Sequence, residues 1–402
     1  MTSSAFKLFH LPRLAYEHAV KLMVIEDIFC LSCCSINVPD ILKHMNMKLK
    51  TVTVYWNTTP TIELERTLHE YCFVEMRQAI DSNYIATGKS RLRHKWNQSM
   101  VSMTMNKFED CIRFSDHVLS TFKNQKFDII FRLENQENKT VRKYLTHALA
   151  GNYDRLSILG IQTASVEFFN YLMNNVNLKA GLRMTCLIPE NFRHENAMKF
   201  KSVEYSNACW ITLDDLKSIR NLDSVILENT KFNSEDLNNF LHFWINSDYD
   251  MMGRLTVTLT RGNALDRESI LKGIVNFKVE RQKFDSYYIL SKENPQKKYK
   301  YGRIKFDGLR SMNLEAYEQD GYSADTISYL KLLEKKKSLQ IKKIELQEDE
   351  TSLLKNWKGF TVGEFDRDIK AVRSQKEEAA IELEKIEKQL DALGLIDVNK
   401  LH

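Results

Sequence analysis

Proline and glycine are scarce in this sequence: its 402 residues hold five prolines and 13 glycines, and no proline follows Pro295. So little punctuation excludes collagen-like and linker-dominated architectures and leaves the stretch after Pro295 open to continuous helix. A charge excess of one sign is also missing. Lysine and arginine total 58 against 53 aspartates and glutamates, a net charge of +5, which does not mark a dedicated nucleic-acid binder. No uninterrupted apolar run reaches the roughly 18 residues of a bilayer-crossing helix. The most apolar window, Val20 to Val38, is interrupted by Glu26 and Asp27, and Lys7, Arg13 and Glu17 break up any signal-peptide core at the start. These absences lead to the expectation of a soluble protein of the cytoplasm and/or nucleus, not of a membrane, with its seven cysteines unpaired.

Catalytic and ligand-binding signatures are equally thin. Cys30, Cys33 and Cys34 form a CxxC cluster that could be half of a zinc site. No second pair follows, since Cys72, Cys111, Cys186 and Cys209 stand singly and without histidine at ligand spacing. They read as small buried hydrophobes. Gly88-Lys89-Ser90 copies the end of a phosphate-binding loop, but the glycine required five residues upstream is Asn83. The ten histidines are scattered, and neither HExxH nor GxSxG occurs. The reading is therefore of a non-enzyme with no catalytic residue, no metal and no cofactor.

What is present divides into three parts. Residues 1–48 read as a helical unit too small for an independent core: Pro12 suits a first helical turn, apolar residues recur from Leu14 to Leu42, and Ser35 to Asp40 marks a break. Residues 49–320 alternate strand-like runs with amphipathic helices, the economical reading being a parallel α/β array of one strand and one helix per repeat. Strands are expected near Thr51–Trp56, Met100–Met105, Phe127–Leu133, Leu156–Ile161, Leu182–Ile188, Asp223–Glu228 and Leu255–Thr260. The clearest helix runs from Ser234 to Asn246, opened by capping residues at Asn233-Ser234-Glu235-Asp236. Phe277–Val279, Ser286–Leu290 and Lys297–Phe306 read as edge strands. Residues 323–402 form a helical hairpin with a coiled-coil seam through Ile369, Val372, Lys376, Ala379, Leu383, Ile386, Leu390 and Leu393, opposite Leu332, Leu339, Leu346 and Leu353.

In the opening unit, Leu11-Pro12-x-Leu14-Ala15, then Val20, Leu22-Met23, Ile28 and Leu31-Ser32-x-Cys34-Ser35 resemble the F-box of a large nematode-expanded family. Farther on, Thr212 to Leu216, Val225 to Asn229, Ser234 to Trp244, Leu255 to Val257 and Arg303 to Gly308 look like the type 2 F-box-associated, leucine-rich-repeat-like domain of the same proteins, over about residues 199–310. The resemblance implies an SCF-type role: the F-box docks a Skp-family adaptor and through it a cullin-RING ubiquitin ligase, and the repeat domain holds an unknown protein substrate. Leu11, Pro12, Leu14, Leu22, Met23, Ile28 and Leu31 are the candidate adaptor contacts, a few of which could dominate the interface. The plainer reading makes them core.

Strand periodicity supplies the substrate candidates. Leu255, Val257 and Leu259 share one face, leaving Arg254, Thr256, Thr258 and Thr260 on the other, with Ser224, Ile226 and Glu228 equivalent on the preceding strand. Ser224, Glu228, Arg254, Thr256, Thr258 and Thr260 are the polar members, and an ordinary solvated face is the alternative. Two other functions stay open: a scaffold that self-associates through residues 323–402, and, ranked lower, a nucleic-acid binder using the basic-aromatic run Lys297 to Lys305. That run also fits a strand protected by lysines.

Overall fold

In a computed structural model of the chain, the apolar pattern that opens the sequence is cut where no break is expected, at Met23-Val24. The structure describes residues 8–78, 98–104, 106–133, 138–147, 153–161, 163–280, 285–292, 294–295, 297–318, 324–356 and 362–393; the Gly88-Lys89-Ser90 segment lies outside them. The chain separates into two compact units, Met1–Asn207 and Ala208–His402.

In the first unit, a single 3-10 turn, Leu8–His10, precedes α1 (Arg13–Leu22), α2 (Ile25–Cys33) and α3 (Val38–His44). Extended backbone at Met23 and Val24 ends α1, and Glu26 and Asp27 then suit the positive end of α2. The expected break at Ser35 to Asp40 is shorter than anticipated, because α3 starts inside it. Pro39 sits in the first turn of α3, where its missing N–H costs no helical hydrogen bond.

The strands of this unit are β1 (Lys48–Leu49), β2 (Thr51–Trp56), β3 (Thr61–Thr67), β4 (Glu70–Gln78), β5 (Gln98–Thr104), β6 (Lys123–Asn124), β7 (Phe127–Arg132), β8 (Arg155–Leu159), β9 (Gly181–Met184) and β10 (Ser202–Tyr205). Helices α4 (Lys107–Thr121), α5 (Asn138–Leu145) and α6 (Val166–Asn175) lie between them. The large sheet runs β10-β9-β8-β7-β2-β3-β4-β5. Strands β10, β9, β8, β7 and β2 are parallel, as the repeat pattern predicts. The parallel array does not continue: β2, β3 and β4 form an antiparallel meander. In β3 the Ile62 and Leu64 side chains are buried while Glu63 and Glu65 are half-buried, the period-2 alternation of a sheet with one wet face.

The second unit contains α7 (Leu213–Lys217), β11 (Ser224–Thr230), α8 (Ser234–Asn246), β12 (Arg254–Leu259), α9 (Arg267–Leu271), β13 (Asn276–Glu280), β14 (Asp285–Leu290), β15 (Tyr301–Asp307) and β16 (Ser311–Tyr317). Helix α8 has the expected ends, and its start is a full capping box: the Asn233 side chain accepts from the Asp236 N–H while the Asp236 carboxylate accepts from the Asn233 N–H. Leu237, Phe240, Leu241 and Trp244 carry its buried stripe. The strand order is β11-β12-β16-β15-β14-β13. Only β11 and β12 are parallel; β12, β16, β15, β14 and β13 alternate antiparallel. The expectation of three edge strands is thereby corrected. Of those segments only β13 is at the edge, whereas β14 and β15 have a partner on both sides because β16 closes against β12.

Helices α10 (Ala324–Asn356) and α11 (Val362–Leu393) complete the unit as an antiparallel pair. Lys335 pairs with Glu382 at 2.6 Å, Lys336 with Glu387 at 2.8 Å and Arg373 with Glu350 at 2.8 Å, so early residues of one helix meet late residues of the other. Leu346, Ile369, Ala379, Ile386 and Leu390 are buried, and Val372, Lys376 and Leu383 are half-buried between them.

Candidate functional site

The helical segment places its candidate contacts in three different environments. Leu14 is 82% exposed and Leu22 74%, and Pro12 is exposed as well. Leu11, Met23 and Leu31 are half-buried. Ile28 is fully buried beside Phe29 in the helix sequence, which removes it from the docking set: α2 turns this side inward, where Phe29 meets Phe114 and His117 of α4 with ring centroids 6.2 Å apart in each case. The Ser32 hydroxyl donates to the Phe29 carbonyl at 2.6 Å and lies 2.8 Å from His117 Nε2. Burial lowers the His117 pKa.

Two residues of the β3–β4 hairpin hydrogen-bond the junction between α1 and α2. Arg66 donates to the carbonyls of Lys21 at 3.2 Å and Met23 at 3.1 Å, capping the end of α1. Glu70 accepts the first N–H of α2, that of Ile25, at 2.9 Å. A cation thus meets the negative end of one helix and a carboxylate the positive end of the next. Neither residue belongs to the local sequence pattern of the helices, and pattern reading misses both.

The cysteine cluster sits at the end of α2 with all three side chains exposed. The Cys34 thiol donates to the Cys30 carbonyl at 3.2 Å, and partial loss of water around the sulfur atoms is the main cause that raises the Cys30 and Cys33 pKa values. Among the described residues no three of His, Cys, Asp and Glu are arranged to hold a metal ion, and no helix is long and apolar enough to cross a membrane.

The substrate candidates of the second unit lie on a sheet face built largely by β12, β16 and β15. Register puts Thr256 opposite Asn313 and Thr258 opposite Ser311. Thr256 Oγ1 donates to Asn313 Oδ1 at 2.7 Å, and Thr258 Oγ1 lies 3.3 Å from Ser311 Oγ. Ser224 is half-buried on β11, and Glu228 is exposed at an irregularity where the register shifts between Leu227 and Thr230 and Asn229 takes a φ of 53°. Thr260 does not join them. It lies past the end of β12 in a turn, its hydroxyl accepting from Asn263 Nδ2 at 3.0 Å.

Glu315 is the centre of this face. Its Oε2 accepts from Arg303 Nε at 2.9 Å and from the Tyr317 hydroxyl at 2.6 Å, while Lys305 Nζ lies 3.7 Å away. Arg254 reaches Oε1 at 3.8 Å. Burial alone would raise the Glu315 pKa, but the hydrogen bonds from Tyr317 and Arg303 and the charges of Arg303 and Lys305 outweigh it and hold the carboxyl below its usual range. Asn313 and Glu315 escape sequence reading because β16 itself does. Farther along, Val279, Tyr288, Leu290 and Tyr301 are covered by Leu330 of α10.

The basic-aromatic run is no continuous cationic stripe. Lys297 is 1% exposed, and its ammonium donates to the Trp244 carbonyl at 2.9 Å and to the Ser247 hydroxyl at 3.2 Å, at the end of α8. Lys298 pairs with Glu318 at 2.9 Å, Tyr301 is buried, and Arg303 and Lys305 face Glu315.

Comparison with known proteins places a family on part of this framework. Residues 191–257 match the family described as F-box associated. The matched segment covers β10 through most of β12, including the Thr212, Val225, Ser234 and Leu255 motifs, and stops short of Arg303 to Gly308. A stretch of 129 residues is 26% identical to the Skn-1 dependent zygotic transcript 15 protein of Caenorhabditis elegans, over 30% of this chain and 34% of that protein. The chain thus spans about a third of the length of this curated relative. No solved structure matches. Over residues 191–257 the chain is similar to the F-box associated family.

Proposed function

We propose that this protein is a non-catalytic substrate receptor: residues 8–48 dock a Skp-family adaptor of a cullin-RING ubiquitin ligase, and the second unit holds a protein target. The observation that carries the reading is the exposure of Leu14 and Leu22 on a helical segment in the same chain as an F-box-associated match. A leucine that stays in water gains no burial energy on folding, and a partner that covers Leu14 and Leu22 would supply that gain. The open face around Thr256, Asn313 and Glu315 is the companion site for the target.

A purified Skp-family adaptor, titrated onto the full chain and onto a Leu14→Asp plus Leu22→Asp variant, tests this. Binding by the wild type and its loss in the variant supports the reading; equal binding, or none by either, defeats it. Leu346, Ile369, Ala379, Ile386 and Leu390 of the α10–α11 seam are buried within one chain and so are not open to a second copy, while Ile341, Ile344 and Ile381 of the same pair are exposed.

A further inference from the structure

The loop that joins β14 to β15 is tied down at several points. Its buried Lys297 holds the Trp244 carbonyl at the end of α8, and the Lys292 N–H donates to the Ile245 carbonyl at 2.8 Å. The Asp250 carboxylate accepts from the N–H groups of Lys298 at 2.9 Å and Tyr299 at 3.0 Å. Helix α10 runs past the same loop, seated on the sheet by Leu330 and by Tyr329, whose ring centroid lies 4.7 Å from that of Phe277. Loop and helix do not close on each other. A cavity of about 430 Å³ remains between them, walled by Leu290, Pro295 and Tyr301 on one side and Ile327 on the other. A second, of about 580 Å³, continues it, since Leu290, Lys331 and Glu334 line both, and its own walls include Ile245, Ile274 and Ile341. Along α10 the trough runs from Ile327 to Ile341, roughly 21 Å at 1.5 Å per residue.

Cavities that take small ligands measure about 300–1,000 Å³ and combine apolar walls with a few polar groups. The polar groups here are mostly cationic. Lys300 donates to the Asn294 carbonyl in the first lobe, and Lys337 to the Gly273 carbonyl in the second. A carbonyl is a neutral acceptor, and among the described residues neither ammonium forms an ion pair with a carboxylate. Lys335 is met by Glu382 of α11, while Lys331 and Glu334, three residues apart, share one face of α10. The charge left to balance is positive, so the complementary ligand is an anion. The Ser291 hydroxyl donates to the Tyr299 carbonyl at 3.1 Å and the Asn294 side-chain amide to the Asp248 carbonyl at 2.9 Å, which leaves mainly apolar walls to meet the rest of the ligand. The first lobe is the more enclosed of the two, and an ion pair made away from bulk water is screened less.

We propose that this trough binds an amphipathic monoanion of the fatty-acid class, with its carboxylate on Lys300 and its chain lying along Leu290 and Ile327 toward Ile274 and Ile341. A straight chain fits the shape, because the two lobes follow one another along a single helix and apolar side chains recur through both. The site shares no residue with the polar face around Glu315 and does not depend on the receptor reading.

The test titrates the full chain with octanoate, dodecanoate and the neutral 1-octanol in a calorimeter. Dodecanoate should bind one per chain and at least about tenfold tighter than octanoate, because its additional methylenes reach the second lobe. Octanoate should bind about tenfold tighter than 1-octanol, the worth of one charge-assisted hydrogen bond. Lys300→Gln should bring octanoate down to the level of 1-octanol and leave 1-octanol unchanged, whereas Lys337→Gln should bind octanoate within about twofold of wild type. Ile341→Asp, at a position 47% exposed in the free protein, should shrink the advantage of dodecanoate over octanoate. If Lys300→Gln loses 1-octanol as well, Lys300→Arg decides: restored octanoate binding supports the site, and failure to restore it overturns it. The proposal also falls if wild type binds no dodecanoate, if octanoate and 1-octanol bind alike, or if Lys300→Gln binds octanoate as wild type does.

Discussion

Arg303 donates to Glu315 across neighbouring strands, Nε to Oε2 at 2.9 Å, and this contact organises the polar face of the second unit's sheet. The Glu315 side chain is 18% exposed and that of Arg303 21%, so the pair is partly withdrawn from water and worth more than an open surface ion pair. Exchanging the carboxylate for an amide leaves Arg303 and Lys305 facing a neutral group with one acceptor oxygen in place of two. Glu315→Gln should therefore destabilise the protein by about 1–3 kcal/mol at neutral pH, read from urea unfolding. The sign with pH follows from the lowered folded-state pKa. The carboxylate contributes its full stabilisation above the ordinary glutamate range and loses it as pH falls through the folded value, so the difference between wild type and variant should shrink on acidification.

The pKa of Lys297 is lowered as well, but because its charged form is disfavoured, and stability again rises with pH. Its burial pushes the pKa down from 10.5 to about 8, and the nearby Asp250 offsets this only in part. Above pH 8 the unfolded chain binds a proton at this lysine that the folded chain has already released. Stability contributed by this residue should accordingly rise between pH 8 and 10.5 and level off outside that window. Unfolding free energies of wild type and Lys297→Met at several pH values isolate the effect, and the wild type should gain on the variant by about 2–3 kcal/mol across the window. A constant difference would show that Lys297 titrates normally and acts only as a cap on the last carbonyls of α8.

How much of this was legible in the sequence depends on how local each cause is. Helix α8 was readable to the residue, because its apolar stripe, its capping box and its acidic first turn all lie within its own span. The break between α1 and α2 was not, since Arg66 and Glu70 impose it from more than forty positions away in the chain. Strand β16 was missed although Met312 and Leu314 alternate with polar residues, and with it went Asn313 and Glu315, the centre of the candidate target face. Ile28 and Leu14 look alike as letters in a helical pattern; only the position of α4 decides that one is buried and the other is in water.

Gly302 offers a test of packing on the opposite face of that sheet. A Cβ added there would lie 2.8 Å from Leu314 Cδ1, 3.1 Å from Trp244 Cη2 and 3.3 Å from Ile289 Cγ1. Trp244 and Leu314 are both fully buried, so neither has free space to move into. Gly302→Ala should cost about 1–3 kcal/mol by overpacking, although alanine ordinarily favours a strand over glycine. Thermal unfolding of the variant checks this, and an unchanged or raised melting temperature would contradict the close fit between β15 and α8.

Lys376 interrupts the apolar seam of the helical pair, where it reaches Glu350 Oε2 at 3.0 Å and also donates to Gln347. Glu350 keeps a second partner in Arg373 at 2.8 Å, so Lys376→Leu does not leave the carboxylate alone. The substitution exchanges a half-desolvated ammonium for a side chain that the neighbouring Ala379 and Ile369 positions can pack against. The pair should gain about 1 kcal/mol and melt at a higher temperature, followed by far-ultraviolet circular dichroism. Because α10 and α11 bury their seam against each other in one chain, the mass in light scattering should be the same for variant and wild type. A rise to twice the mass in the variant alone would mean that Lys376 acts against pairing between chains, the use to which a single polar seam position is put in other helical bundles.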